Sequence, residues 1–586
     1  MNVINKYLSI LNYKEQKKIL LLFILMIIAA FMEVVGIGLV IPIITLLTKP
    51  EKILTEPTFQ VALNYFGNPS ETQLIIYMMI LFLIIYLVKN LYLALFVWIK
   101  FRYIKIFKIN LSKKLFSLYL RKPYEFFLLN NSAKILRNTT SESEATINLL
   151  FSIVNLMTEF LVFMCVFGLV VYIEPRGAII SVITISLFVS MYYLFIKNKV
   201  YRWGKQRQYY QGQNIKNIQQ SLGSIKEMKL LGCEDQFIKI FKESFSSIMK
   251  YTQYNQTLSQ LVKLWLEMLA ILGLVLIVII SALQQQASSE ILTMLAIFSA
   301  AAFRLLPSAG RMTTSIQEFN FYRPSLDLVH EALQHKITTK EKITNHEKFN
   351  KDIKLVNVSY SYAETKVKVL KNINLTIKKG DYVGFVGQSG SGKTTLVDLI
   401  MGFFETKEGK ITIDNKLISE NIDSWRKQIG YVPQSIYLVD ETLKNNIAFG
   451  LQEDLINEEN LMKAIKEAQL EEFVSNLPKG LETIVGEGGV RLSGGQKQRI
   501  GIARALYGNP EILILDEATS ALDIETEKEI MNSIKTLQQK KTVLVISHRL
   551  STVKDCNQIY VIVKGKIIDK GKPEDLLTSK EFYIKK

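Results

Sequence analysis

Eight consecutive residues, Gly387–Thr394, read G-Q-S-G-S-G-K-T and satisfy every fixed position of G-x-x-x-x-G-K-[ST]. A strand-like apolar run, Tyr382–Val386, leads into them, and a helical pattern starts near Thr395. A flexible Gly/Ser loop matching by chance would need neither flank. Gly387, Gly390 and Gly392 let the backbone turn tightly, so that N–H groups converge on one concavity; the start of the following helix adds partial positive charge. Such a loop cradles phosphate. The cradle is expected to comprise Gly387, Gln388, Ser389, Gly390, Ser391, Gly392, Lys393, Thr394 and Thr395, with Lys393 reaching the β- and γ-phosphates and the Thr394 hydroxyl on Mg²⁺.

Further along, Glu511–Glu517 reads E-I-L-I-L-D-E. Ile512–Leu515 is apolar throughout, as a buried parallel strand requires, and its two closing carboxylates fall where such sheets bind ligands. Alone this is a weak signal, but downstream of a phosphate loop it points to ATP hydrolysis. Asp516 is then expected to hold Mg²⁺ through water, and Glu517 to polarise the attacking water as general base. Between the two lies L-S-G-G-Q (Leu492, Ser493, Gly494, Gly495, Gln496), which exposes backbone N–H groups at a helix start. One nucleotide has little use for two such devices in the same chain. A head-to-tail dimer, in which this segment caps ATP on the partner's loop, is the economical reading. Gln434, in Y-V-P-Q, is placed to bond Mg²⁺ or the attacking water, and His548, in S-H-R, the γ-phosphate; a lone histidine is more often structural. Tyr362 stands at a suitable distance before the loop to stack on adenine, or is an ordinary strand aromatic.

What positions these residues is a chain of two unlike halves. Over 586 residues it is 49% hydrophobic and 21% charged, but long apolar runs dominate before about residue 320, and polar–apolar alternation typical of an α/β domain follows about residue 350. Six stretches reach the ~20 apolar residues a membrane span needs: Ile19–Leu47, Leu74–Ile99, Leu149–Ile173, Ala178–Ile196, Val262–Leu283 and Ile291–Ala309. The intervals 100–148 and 197–261 are long, helical in pattern and rich in Lys and Arg, from Lys100 and Arg102 to Lys205 and Arg207. The opposite connections are poor in them, so the basic intervals and both termini are expected in the cytosol, in a multi-pass cytoplasmic (inner) membrane protein. That placement accounts for the net charge of +18 without nucleic acid. Cys165, Cys233 and Cys556 form no metal or redox pattern. The expected domains are an interfacial helix over 1–18, a membrane domain over 19–325, a linker over 326–350 and the ATP-binding domain over 351–586. Within 1–18, Tyr7, Leu8 and Leu11 are expected on one helical face, and a short external amphipathic helix is expected near Phe59–Phe66.

Ionisable residues inside spans are costly. Lys89, Lys263, Arg304 and Arg311 are such residues, as are Glu33, Glu159 and Glu267. The basic set either pairs with these glutamates or lines the path of an anionic substrate. Pro307, between Arg304 and Arg311, is a candidate kink.

The order Tyr362, phosphate loop, Gln434, L-S-G-G-Q, D-E, S-A-L-D (Ser520–Asp523) and S-H-R resembles ATP-binding cassette transporters over about residues 350–586. The six spans with long cytosolic extensions resemble the exporter type, one half-transporter per chain. The resemblance implies an all-α six-helix membrane domain followed by an α/β P-loop nucleotide-binding domain, a type IV exporter fold working as a dimer. It adds Asp523 to the nucleotide site, makes Thr483–Gly488 a loop that senses the membrane domain, and places coupling helices at the pattern breaks Lys122–Ser132 and Leu230–Asp235. More narrowly, F-M-E-V-V-G-I-G-L-V-I-P (Phe31–Pro42), F-R-L-L-P-S-A-G-R (Phe303–Arg311) and F-Y-R-P-S-L-D (Phe321–Asp327) resemble PglK-type lipid-linked oligosaccharide flippases. That likeness implies an ATP-driven translocase for a polyprenyl-diphosphate-linked oligosaccharide, with Lys89, Lys263, Arg304 and Arg311 facing the lipid's diphosphate. Lysines stand at two places where those flippases have arginines, so the charge is kept but the bidentate fork is lost. The alternative is a multidrug, lipid or peptide exporter on the same engine. Six spans exclude a soluble cassette ATPase.

Overall fold

The computed structural model describes residues 3–39, 71–173, 175–284, 288–334, 348–363, 365, 367–519, 523–537, 541–547 and 550–579. The expected helix near Phe59–Phe66, most of the 326–350 linker, Ser520–Leu522 and His548 lie outside these, as does the side chain of Arg304. The chain divides into two compact units, residues 1–122 with 126–337, and residues 123–125 with 338–586.

The first unit is helical. Its long elements are α1 (Val3–Ile10), α2 (Tyr13–Gly38), α3 (Glu71–Leu120), α4 (Ser143–Ile173), α5 (Pro175–Gly223), α6 (Glu234–Leu283) and α7 (Ser288–Gln334). At 50 residues, α3 and α6 reach ~75 Å at 1.5 Å per residue, far more than a bilayer core requires. Among the described residues four stretches are long and apolar enough to cross a membrane: Tyr13–Gly36, Thr72–Leu120, Ser132–Leu169 and Glu234–Leu276. Leu83, Leu87 and Leu91, four residues apart on one face of α3, are exposed, as residues that meet lipid would be.

The core of this unit gathers Leu22, Phe107, Leu115, Leu149, Val154 and Leu326 from four helices, with Tyr7 and Ile10 of α1 packed into it. Leu8 is exposed, so it does not share the buried face of α1 with Tyr7. Polar bonds tether α1: Lys6 pairs with Asp327 at 2.6 Å, and Tyr7 Oη donates to the Thr146 carbonyl at 3.3 Å. The last helix does not stop at residue 325. It runs on to Gln334 because Leu326 and Val329 are fully buried. Pro307 and Pro324 both lie inside it. The second pattern break also starts earlier than expected. A short helix occupies Ile225–Leu231, between a turn at Ser224 and a left-handed Gly232 (φ 62°) that ends it. At the first break the short helix is Tyr124–Leu129. Before α4, Asn138–Glu142 form a π-helical turn; the buried Glu142 carboxylate accepts Gln208 Nε2 at 2.9 Å.

The second unit has two sheets. A four-stranded antiparallel sheet has the order β2 (Leu370–Lys378), β1 (Asp352–Tyr360), β4 (Glu408–Ile413), β5 (Lys416–Leu417). The larger sheet runs β10 (Lys566–Gly571), β9 (Gln558–Val563), β3 (Tyr382–Val386), β8 (Thr542–Ile546), β7 (Ile512–Asp516), β6 (Ile429–Val432). Every pairing in it is parallel except β9 with β10. β3, β7 and β8 are buried at every position, as expected of strands covered on both faces. Helices α8 (Lys393–Ile400), α9 (Gly494–Tyr507) and α10 (Ile524–Leu537) follow the phosphate loop, the L-S-G-G sequence and Asp523 respectively.

Candidate nucleotide site and membrane cavity

β3, β8, β7 and β6 are parallel neighbours, so their carboxyl ends fall along one edge. From that edge emerge the phosphate loop, Ser547, the Asp516–Glu517 pair and Gln434. In the loop, Gly390 (φ 76°) and Gly392 (φ 105°) take conformations that suit glycine. A Cβ on Gly387 would lie 2.2 Å from the Ile562 carbonyl oxygen, so nothing larger fits the cradle. Lys393 is buried, and its ammonium donates to the loop carbonyls of Gly387 and Gln388 at 2.8 and 2.9 Å. Burial pushes its pKa down, against the pull of Glu517 and Asp516.

Asp516 is buried at the end of β7, with Tyr431 Oη 3.5 Å from Oδ2. Burial, then the Glu517 charge, raises its pKa. Asp398, on α8, is raised to about 6 by burial and then by the Asp516 charge. Register explains the next contact. Val432 pairs with Leu515, so Gln434 and Glu517, each two residues on, meet: Gln434 Nε2 donates to Glu517 Oε2 at 2.8 Å. Glu517 has φ 46°, a costly backbone setting for a residue with a side chain, held by its N–H on the Ile546 carbonyl at 3.0 Å.

Ser493 caps α9 in a reciprocal box. Its hydroxyl accepts the Gln496 N–H at 3.2 Å, and Gln496 Oε1 accepts the Ser493 N–H at 2.8 Å. Gly494 and Gly495 form the first turn, where N–H groups have no intrahelical acceptor. Leu492 packs partly against the core beside them. Asp523 starts α10 by accepting the Glu527 N–H at 2.9 Å. Tyr362 is held in place: its hydroxyl lies 3.0 Å from Thr395 Oγ1 and its ring packs edge-on against Tyr360 and Phe404.

The residues fit ATP and a divalent cation. The cradle closes to a side chain at Gly387, the Ser391 hydroxyl is buried without a hydrogen-bond partner among the described residues, and a buried carboxylate stands beside a second one. Thr394 and Asp516 are the groups to hold Mg²⁺, which when bound would neutralise phosphate charge.

In the helical unit a cavity of ≈ 550 Å³ is lined by Lys100, Lys263, Arg311, Glu159 and Glu318 among polar and apolar neighbours. Lys263 and Arg311 therefore share a space. Lys89 is not among its lining residues: its ammonium is 2.9 Å from Glu33, both being largely buried. Arg311 grips Glu159 through Nε at 2.5 Å and Nη2 at 3.1 Å. Two of the four basic residues thus have glutamate partners. Lys100, which sequence reading placed in the first basic interval and not among the substrate residues, also lines the cavity. A signal for this face existed, since Pro307, Arg311, Thr314 and Glu318 recur at helical spacing. Asp398 and the Glu527 carboxylate, which accepts both Thr519 and Thr552 hydroxyls, had no motif to mark them.

Comparison with known proteins matches residues 18–306 to the ABC transporter transmembrane region and 370–520 to the ABC transporter family. A Pectobacterium atrosepticum protein named ATP-dependent lipid A-core flippase is 30% identical over 479 residues, 81% of each chain. A Syntrophus aciditrophicus protein of the same name is 46% identical over 239 residues, and Bacillus subtilis YwjA, described as an uncharacterized ABC transporter ATP-binding protein, 47% over 233. Those two matches span 41% and 40% of this chain and only 39% and 40% of the relatives' lengths. A solved bacterial Atm1-family ABC exporter with ATP bound has the same fold, at TM-score 0.77 and 22% identity over 95% of this chain and 96% of that one. With a membrane region and an ATP-binding region matched on one chain, and a relative 30% identical across four-fifths of both proteins, the chain belongs to the ABC transporter family.

Proposed function

We propose that this chain is half of a homodimeric, ATP-driven exporter of the cytoplasmic membrane, with both termini cytosolic, that flips a polyprenyl-diphosphate-linked oligosaccharide outward. The observation that carries the reading is a cavity in the helical unit lined by Lys100, Lys263 and Arg311, on the same chain as the nucleotide site. An uncharged cargo would not call for such side chains in a cavity between membrane helices.

In this reading ATP is held by Gly387–Thr395, with Tyr362 at the adenine, and capped by the partner subunit's L-S-G-G-Q segment and Asp523. Glu517 takes the proton of the attacking water. Gln434, already bonded to Glu517, orients that carboxylate and offers its amide oxygen to the cation; His548 contacts the γ-phosphate. Closure of the two nucleotide domains moves the short helices at 124–129 and 225–231 and opens the membrane cavity outward. Every ATPase motif is intact, so a homodimer has two competent sites.

Relatives named lipid A-core flippase favour a second reading, in which the cargo is an acylated phosphoglycolipid. A lipid, drug or peptide exporter remains the broader alternative. The test is ATPase stimulation and flipping in proteoliposomes. Stimulation by polyprenyl-diphosphate oligosaccharide supports the first cargo. Stimulation by the acylated phosphoglycolipid alone supports the second, and equal response to an uncharged amphiphile defeats both.

A further inference from the structure

The ionisable residues of the cavity are not equivalent. Arg311 is committed: its Nε and Nη2 both meet Glu159, and Ser308 Oγ donates to the same carboxylate at 2.7 Å. A guanidinium forked onto a carboxylate has spent its charge and its directional donors. Lys100 differs. Its ammonium donates to the neutral amide oxygen of Asn155 at 3.1 Å and sits 5.7, 5.7 and 5.1 Å from the ring centres of Phe96, Phe101 and Phe151. An amide and three rings hold the ammonium in place without cancelling its charge, and at most one of its three donors is used. Lys263 lines the same cavity and makes no ion pair among the described residues. Glu318, the other lining carboxylate, accepts Ser152 Oγ at 3.0 Å.

We propose that Lys100 and Lys263 are the anion-recognition pair of the cavity, that the ligand they take is a phosphorylated, hydroxyl-rich amphiphile, and that the Arg311–Glu159 pair is part of the wall. This rests on the exporter reading above and sharpens it. Two like charges in one cavity, Lys100 half-buried and Lys263 exposed, carry an electrostatic cost that an anion relieves. As point charges they bind phosphate oxygens without demanding a planar partner. Asn155, Gln260, Ser315 and the Ser259–Thr314 hydroxyl pair, 3.1 Å apart, supply the donors and acceptors that sugar hydroxyls need. At ≈ 550 Å³ the cavity lies within the ~300–1,000 Å³ usual for small-molecule sites, which suits a phosphate with its adjoining sugar.

The test uses the full chain in proteoliposomes and reads the concentration of carrier that half-maximally stimulates ATPase activity. Carriers are a polyprenyl-diphosphate oligosaccharide, an acylated phosphoglycolipid, and each without its phosphate. Lys100→Gln and Lys263→Gln are each expected to raise the half-stimulating concentration of whichever phosphorylated carrier works about tenfold, and Lys100→Arg less than threefold. Removing phosphate from the carrier should weaken the parent about a hundredfold and the doubly substituted chain by under threefold, because the lost contacts are the same ones. Should both Gln variants stay within twofold of a parent that does respond, this assignment is overturned while the exporter reading stands. If the parent responds to no phosphorylated carrier, the reading itself falls and the assignment with it. The carrier that stimulates tells the two lipid sources apart.

Discussion

At the end of β7, Asp516 and Glu517 stand side by side, the first buried and the second in a strained backbone setting, beside a buried Lys393 that bonds only loop carbonyls among the contacts described above. In the helical unit the opposite arrangement prevails: Glu33 holds Lys89 and Glu159 holds Arg311 directly. The nucleotide site sets two carboxylates side by side, near an ammonium that bonds loop carbonyls rather than either of them, so a polyanion and a cation gain much by entering. In the helical unit Lys89 and Arg311 are neutralised by glutamates, whereas Lys100 and Lys263, the proposed anion-recognition pair, make no ion pair among the described residues. Charge is stored where chemistry is done and cancelled where structure must survive in lipid.

Several substitutions probe this contrast, taken here from the largest effect to the smallest. Glu517→Gln should lower steady-state ATP turnover about a hundredfold or more, since a general base is worth about 10²–10⁴; turnover at the parent rate would remove Glu517 from that role. Glu33→Gln leaves the Lys89 ammonium buried without its carboxylate and should cost about 3 kcal/mol of stability, measured by unfolding in detergent. Replacing both partners by leucine should recover most of that loss, whereas additive losses would mean the pair does not act as one. Gln434→Ala should lower kcat about tenfold with little change in KM for ATP, because it removes one bond to the Glu517 carboxylate. An equal loss in KM would assign Gln434 to nucleotide binding.

The smallest effect is a pH dependence. Asp398 has a folded pKa of about 6, above its ordinary value of 3.8. Between those values the folded state holds the proton and the unfolded state does not. Stability from this group is therefore full below about pH 4 and is lost as pH rises through about 6. Asp398→Asn should flatten that decline, by about 1 kcal/mol at pH 7 after allowance for solvent screening, as read from melting temperature against pH in parent and variant.

Much of this could be read from the chain before any fold was known. G-Q-S-G-S-G-K-T, D-E and L-S-G-G-Q are local devices whose meaning lies in backbone conformation and in the strand or helix next to them. Long apolar helices were equally legible, because a hydrocarbon slab imposes a length on any span. Boundaries were less so: the end of α7 depends on Leu326 and Val329 finding a core contributed by other helices, which no local pattern records.

The amino-acid order by itself determined which segments cradle phosphate, which carboxylates end a buried strand and which stretches suit lipid, because each follows from short-range sterics, solvation and periodicity. Only the tertiary structure decided that Gln434 meets Glu517, that Lys89 and Arg311 have glutamate partners, and that Lys100 lines a cavity. Those are statements about pairs far apart in the chain, and a charge takes its role from the neighbour that folding brings to it.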